Sequence, residues 1–277
     1  WWKNIDKFLL FIILGLFLLG LFFSLVSTSL IASDKLDTKS YYFFFKHSVY
    51  ISLAVVVLII FSFLKQKILK KFSLILFLVA FLSLMLVPFL GVEVKGSKRW
   101  LDLLFLPRFQ PIEIVKPFFI VTLSLILTIQ NRRLYFKYFL STLLILPILM
   151  LLVYQPDIGQ TLLISMIWLA LIFISGINIL VFFIIFFSAV SIVSYLVLFV
   201  PKFEYIKIRL FAFLDSSSGN NYQAEKASDA IINGGFFGKG IGEGTLNSRV
   251  PEAHTDYIVS VISEEFGAII VIGILFL

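Results

Sequence analysis

The chain has 277 residues, of which 60% are hydrophobic and 14% charged, and its mean hydropathy is +1.06. A soluble domain carries about 25% charged and about 45–50% apolar residues, so the bilayer must solvate most of this chain. That excludes a soluble enzyme, a disulfide-stapled secreted domain and a nucleic-acid binder. The chain has no cysteine and only two histidines, His47 and His254, which argues against thiolate clusters and imidazole metal cages. The net charge of +7 belongs to loops on an integral membrane protein, where cations meet anionic lipid or anionic substrate.

Taking about 20 apolar residues as one crossing, the sequence predicts helices at 8–32, 43–64, 71–92, 112–130, 135–154, 159–176 and 178–200. An eighth begins near Tyr257 and is cut off at Leu277. The expected fold is all-α: a polytopic membrane protein with seven complete transmembrane helices plus a truncated eighth. Residues 1–277 form one transmembrane domain, and 201–256 form its one large loop. The apolar runs are continuous rather than alternating, which excludes a strand barrel. The first run is too long for a signal-peptide core and reads as a retained helix. The chain starts at Trp1 and stops inside an apolar run, so both ends read as incomplete.

Orientation follows from the basic residues. The amino terminus (Lys3, Lys7), the 65–71 loop (Lys65, Lys67, Lys70, Lys71) and the 132–137 loop (Arg132, Arg133, Lys137) hold cations with a single acid, Asp6. Short, uniformly basic loops suit a cytoplasmic face. The opposite connections hold 14 of the 23 cations and 15 of the 16 acids, which suits a working surface. The 201–256 loop is therefore placed outside.

Four polar clusters fall on that outer face. The first runs Gly96-Ser97-Lys98-Arg99-Trp100-Leu101-Asp102 and leads to Gln110-Pro111-Ile112-Glu113, with Lys116 one turn on. Glu113 and Lys116 share a helix face at the membrane boundary, and ionisable groups there face a cavity or a partner. They form either an interfacial ion pair beside a Trp100 anchor or, with Arg99, a cationic patch for phosphate. The second, Gln155-Pro156-Asp157-Ile158-Gly159, is a turn holding one carboxylate, a helix cap or a functional group. Gly159 is expected to permit a tight re-entry into the next helix.

The third cluster, Gly234 to Gly244, has six glycines in eleven positions but matches neither phosphate-binding fingerprint. It reads as a flexible loop of irregular backbone that lets a bulky substrate approach. The fourth is Arg249-Val250-Pro251-Glu252-Ala253-His254-Thr255-Asp256-Tyr257, followed by Glu264-Glu265 two turns into an apolar helix. Asp256 stands at the loop–helix junction, either as a cap or as a general base. Carboxylates inside a membrane helix are functional candidates.

Arg99-Trp100, Gln110-Pro111-x-Glu113 with Lys116, Gln155-Pro156-Asp157-x-Gly159, the Gly-Gly-x-x-Gly-x-Gly loop and Pro251-Glu252-x-His254-Thr255-Asp256 occur in one order. That order resembles the SEDS family of bacterial shape, elongation, division and sporulation membrane proteins, and within it the division branch. The resemblance implies a ten-helix peptidoglycan glycosyltransferase of the cytoplasmic (inner) membrane, at the division septum. It would polymerise lipid II on the outer face with a class B penicillin-binding transpeptidase and other divisome membrane proteins.

By motif, Asp256 corresponds to the family's essential aspartate, and Arg99 and Lys116 to its essential basic positions. Trp100, Gln110, Glu113, Gln155, Asp157, His254, Thr255 and Glu264 correspond to supporting polar positions. A divalent cation, Mg or Mn, bridging the pyrophosphate suits that chemistry, although no ligand set in the sequence demands one. Ile112, Ile232-Asn233, Tyr257 and Val259 depart mildly from the family pattern and leave the ionisable residues intact. Charged residues inside helices also suit the rival reading, a lipid II flippase or transporter.

Overall fold

The computed structural model describes residues 2, 5–28, 41–94, 97–103, 107–130, 132–204, 206–207, 222–250, 253 and 257–277. They divide into two compact units, one of Leu64–Lys207 and one of Trp1–Phe63 with Ile208–Leu277.

The Leu64–Lys207 unit is a helical bundle: α3 (Gln66–Leu90), α4 (Pro111–Leu127), α5 (Leu134–Tyr154), α6 (Ile158–Ile174) and α7 (Ile179–Phe199). Its core is set by helical spacing on α4, where Ile112, Val115, Phe119, Leu123 and Leu127 form one buried stripe. That stripe packs against Phe77, Ala80 and Leu84 of α3, Ile145, Ile148 and Leu152 of α5 and Ile164 of α6. Pro88, Pro117 and Pro147 lie inside α3, α4 and α5. Membrane helices tolerate such breaks because neighbouring groups satisfy the freed carbonyls.

Between α3 and α4 the chain forms an antiparallel ribbon, β1 (Gly91–Val94) and β2 (Ser97–Leu101), with a register shift at Val92/Glu93. Leu101 and Phe109 exchange both main-chain hydrogen bonds and extend the ribbon to the start of α4. The all-α expectation missed this element.

In the other unit, α1 (Lys7–Thr28) and α2 (Tyr42–Phe63) are long and apolar. The predicted 201–256 loop is more structured than a loop: it contains α8 (Tyr222–Gly234) and a 3₁₀ turn at Asn247–Arg249. The predicted eighth helix starts where expected but is broken into α9 (Ile258–Phe266) and α10 (Ala268–Leu275). The break is Gly267, at φ 86°, where a Cβ would strike the Phe236 carbonyl. Phe266 is held by edge and tilted ring contacts with Phe23 and Phe22 of α1.

The seven predicted helices all coincide with helices, but not all have full spanning length. Among the described residues, five are long and apolar enough to cross a membrane: Lys7–Val26, Phe44–Phe63, Gln66–Leu90, Leu134–Tyr154 and Ile179–Phe199. α4 and α6 have 17 residues each, which is about 25 Å of helix against a hydrocarbon core of about 30 Å. The described part of the chain is mainly helical, with several apolar helices.

Candidate active site

The Leu64–Lys207 unit gathers its polar residues at one end, where α3 and α5 finish and α4 and α6 begin. Asp157 is the hub. Its Oδ2 accepts from Gln110 Nε2 at 2.9 Å, and its Oδ1 lies 3.6 Å from Arg99 Nη1. The same carboxylate caps α6, accepting from the Gln160 N–H at 3.5 Å. The expected helix cap is thus also the charge partner of Arg99, on one buried side chain.

Arg99 reaches from β2 to the carboxy-terminal turn of α5. Its Nε donates to the Gln155 carbonyl at 3.4 Å and its Nη2 to the Pro156 carbonyl at 2.5 Å. Those carbonyls carry the negative end of the helix dipole and have no helical partner, so a guanidinium is well suited to them. Gln155 is buried and its side chain donates to the Leu84 carbonyl, tying α5 to α3.

Lys116 and Glu113 form the expected i,i+3 pair on α4, Nζ to Oε2 at 2.6 Å. Glu113 Oε1 also accepts from Gln160 Nε2 at 2.8 Å. Gln160 was not among the predicted site residues. It joins the two ion pairs, since its N–H meets Asp157 and its side chain meets Glu113. The geometry therefore brings Arg99, Gln110, Glu113, Lys116, Gln155 and Asp157 into one network.

Of the two readings of this cluster the ion pair is seen: Lys116 lies beside Glu113 and Arg99 beside Asp157, so the quartet is formally neutral. Arg99 and Lys116 are only partly exposed, at 27% and 18% of their side chains. Trp100 is partly exposed on β2. Gly159 needs no glycine for a re-entry, since it lies in the first turn of α6 with open space where a Cβ would project.

The other unit holds a separate polar cluster. His254, Thr255 and Asp256, with Pro251 and Glu252, lie outside the described residues. Val250 packs with Ala227 and Ala230 of α8, and Ala253 and Tyr257 pack on the same small core.

Glu264 is wholly buried on α9 and its carboxylate accepts four hydrogen bonds. Oε1 takes Asn233 Nδ2 (2.9 Å), Thr245 N (3.0 Å) and Leu246 N (2.8 Å), and Oε2 takes Asn247 N (2.8 Å). A buried carboxylate is costly unless so satisfied. Glu265, also buried, accepts from Asn247 Nδ2 at 3.1 Å. Asn233 and Asn247 were not among the predicted site residues. The one cue in the sequence was the Glu264-Glu265 doublet in an apolar run.

The glycine-rich segment is irregular, as expected, but it is clamped to α9 rather than free. The N–H groups of Lys239 and Gly240 donate to the Glu264 and Glu265 carbonyls, which are orphans of the α9 terminus. Gly238 sits at φ 80°, where a Cβ would collide with the Glu265 carbonyl. Close backbone packing, not looseness, explains that glycine. Among the described residues, no three carboxylate or imidazole side chains converge on a point that could hold a metal. The described residues therefore build no cage for Mg or Mn.

The family model described as cell cycle protein, FtsW/RodA/SpoVE, matches residues 7–277. The chain belongs to that family. This is the SEDS family that the motif order resembles, and the chain's several long apolar helices are those of a multi-pass membrane protein. A Coxiella burnetii relative named probable peptidoglycan glycosyltransferase FtsW is 33% identical over 273 residues, covering 95% of this chain and 72% of that protein. The Caulobacter vibrioides protein of the same name is 30% identical, covering 97% and 68%.

Solved structures share the fold. A chain from work on structural coordination of polymerization and crosslinking by a peptidoglycan synthase complex has a TM-score of 0.72 at 24% identity, covering 99% of this chain and 74% of that one. Thermus thermophilus rod shape determining protein RodA has a TM-score of 0.63 at 22% identity, covering 99% and 72%.

Proposed function

We propose that this chain is a peptidoglycan glycosyltransferase that polymerises lipid II on the outer face of the bacterial cytoplasmic membrane during septal wall synthesis. The observation that carries the reading is the family match over residues 7–277, joined by relatives at 30–33% identity that bear this activity in their names. In this reading the apolar helices are seven crossings and the start of an eighth, and 201–256 is the large external loop. A class B penicillin-binding transpeptidase and further divisome membrane proteins are its partners.

Asp256 takes the proton of the sugar 4-hydroxyl on one lipid-linked disaccharide. The freed oxygen attacks the anomeric carbon of the second chain and expels undecaprenyl pyrophosphate. General-base assistance is worth roughly 10²–10⁴-fold, so holding two lipid-anchored substrates in register must supply much of the remainder. Arg99 and Lys116 offset the charge that develops on the leaving pyrophosphate. Their existing pairing with Asp157 and Glu113 supports this role in a specific way. It holds each cation in place before substrate arrives, and the N–H groups not used on Asp157, Glu113 or the Gln155 and Pro156 carbonyls remain for the phosphate oxygens.

Trp100, Gln110, Glu113, Gln155, Asp157 and Gln160 position those two cations, and His254 and Thr255 flank the base. A divalent cation would further screen the pyrophosphate. The test is Asp256→Asn in the full-length protein. It should abolish strand formation from lipid II while leaving the protein folded in the membrane. Strand formation at the wild-type rate would end the assignment.

A further inference from the structure

Three consecutive backbone N–H groups, those of Thr245, Leu246 and Asn247, point at one spot, and the spot is filled by the Glu264 carboxylate. Successive main-chain amides of this kind make an anion cradle. Such cradles commonly hold a bound phosphate or other anion. Here the occupant is the protein's own side chain, wholly buried and satisfied by a fourth donor from Asn233.

Asn247 is held twice, by its main chain through Glu264 and by its side chain through Glu265. It opens the 3₁₀ turn Asn247–Arg249, after which Val250 drops into the core with Ala227 and Ala230. Ala253 and Tyr257 pack on that core, and Asp256 stands between them in the chain.

We propose that Glu264 is a positioning residue for glycosyl transfer: by occupying the amide cradle of Thr245 to Asn247 it fixes the segment that delivers Asp256. The inference rests on the reading of Asp256 as the base. Glu264 touches no substrate. It acts through the 245–250 turn, which it binds to α9, the helix that begins two residues after Asp256. The glycine-rich loop is then the packing that lets α8 and the turn close onto α9. It is not a phosphate site.

The experiment compares wild type with Glu264→Gln in the full-length protein, purified with its transpeptidase partner and supplied with lipid II. The substitution keeps the shape but turns one accepting oxygen into an NH₂ group that must face a main-chain N–H. Folded yield, steady-state strand synthesis and amide hydrogen exchange are measured together. The expected result is a folded protein whose kcat falls about tenfold to a hundredfold, as small misplacements of a reacting group do. KM should stay within about threefold, because uniform substrate binding is untouched. Exchange should quicken at Thr245–Asn247 and across 253–257.

An unchanged kcat per folded molecule, or unchanged exchange at those amides, would overturn the proposal. Should Glu264→Gln fail to fold, Asn233→Ala removes one donor of the four. It should lower kcat by a few-fold with quicker exchange at 245–247, and a wild-type kcat in that variant would also overturn it. Failure of the catalytic reading shows separately, as strand synthesis by Asp256→Asn with Glu264 intact.

Discussion

The two polar centres of this protein are built from similar residues and solve different problems. At the end of the Leu64–Lys207 bundle, Arg99 and Lys116 each keep a carboxylate partner yet stay partly open to their surroundings. At α9, Glu264 is sealed from solvent, all its partners are main-chain or side-chain N–H groups, and no cation pairs with it among the described residues. A partly exposed ion pair such as Lys116–Glu113 can trade one anion for another at small cost, because solvent screens the exchange. A buried carboxylate held by four donors cannot, since releasing it would orphan every one of them. The first arrangement suits a ligand that comes and goes; the second suits a fixed frame.

The sharpest way to break this contrast is in the frame. Gly238→Ala places a Cβ against the Glu265 carbonyl at a positive φ. Left-handed backbone and overpacking together should cost about 2–5 kcal/mol. Thermal unfolding in detergent should show that loss, together with depleted membrane levels. A neutral result would mean that the glycine loop is not clamped to α9.

Next in size is Arg99→Lys. An ammonium keeps the charge but cannot span the Gln155 and Pro156 carbonyls and Asp157 at once. Strand synthesis should fall at least about tenfold, while stability drops only about 1–2 kcal/mol for the lost hydrogen bonds. Equal loss of folded protein and activity would place Arg99 with the frame instead. Lys116→Ala should be milder still for stability, below about 1 kcal/mol, because Glu113 is half exposed and keeps Gln160. Its effect should appear in strand synthesis. The smallest effect is expected from Arg108→Ala. Its pair with Asp102 is exposed on both sides, so stability should change by about 0–1 kcal/mol and activity not at all.

Much of this was legible in the sequence where the signal is local. Apolar runs gave the seven helices within a few residues, because about 20 apolar side chains in a row have few uses outside a bilayer. The i,i+3 relation of Glu113 and Lys116 appeared as an ion pair because helical geometry alone determines it. The β1–β2 ribbon was not legible. Its strands are four and five residues long and carry no clear alternation between Gly91 and Leu101.

The Glu264 cradle was not legible either. Its donors lie 17 to 31 residues away, and three of them are main-chain groups that carry no sequence signature. The glycines were read as looseness because composition alone does not distinguish a mobile loop from one pressed against a helix backbone. Gly267, inside an apolar run, hid the break between α9 and α10 for the same reason.

The central claim is that these residues serve polymerisation on one face of the membrane rather than transport across it. The most direct measurement supplies lipid II in detergent micelles to the full-length protein with its transpeptidase, and resolves the products by strand length. The account predicts glycan strands, because polymerisation needs no second compartment. Unreacted lipid II from folded protein, alongside lipid II translocation by the same preparation in sealed vesicles, would contradict it.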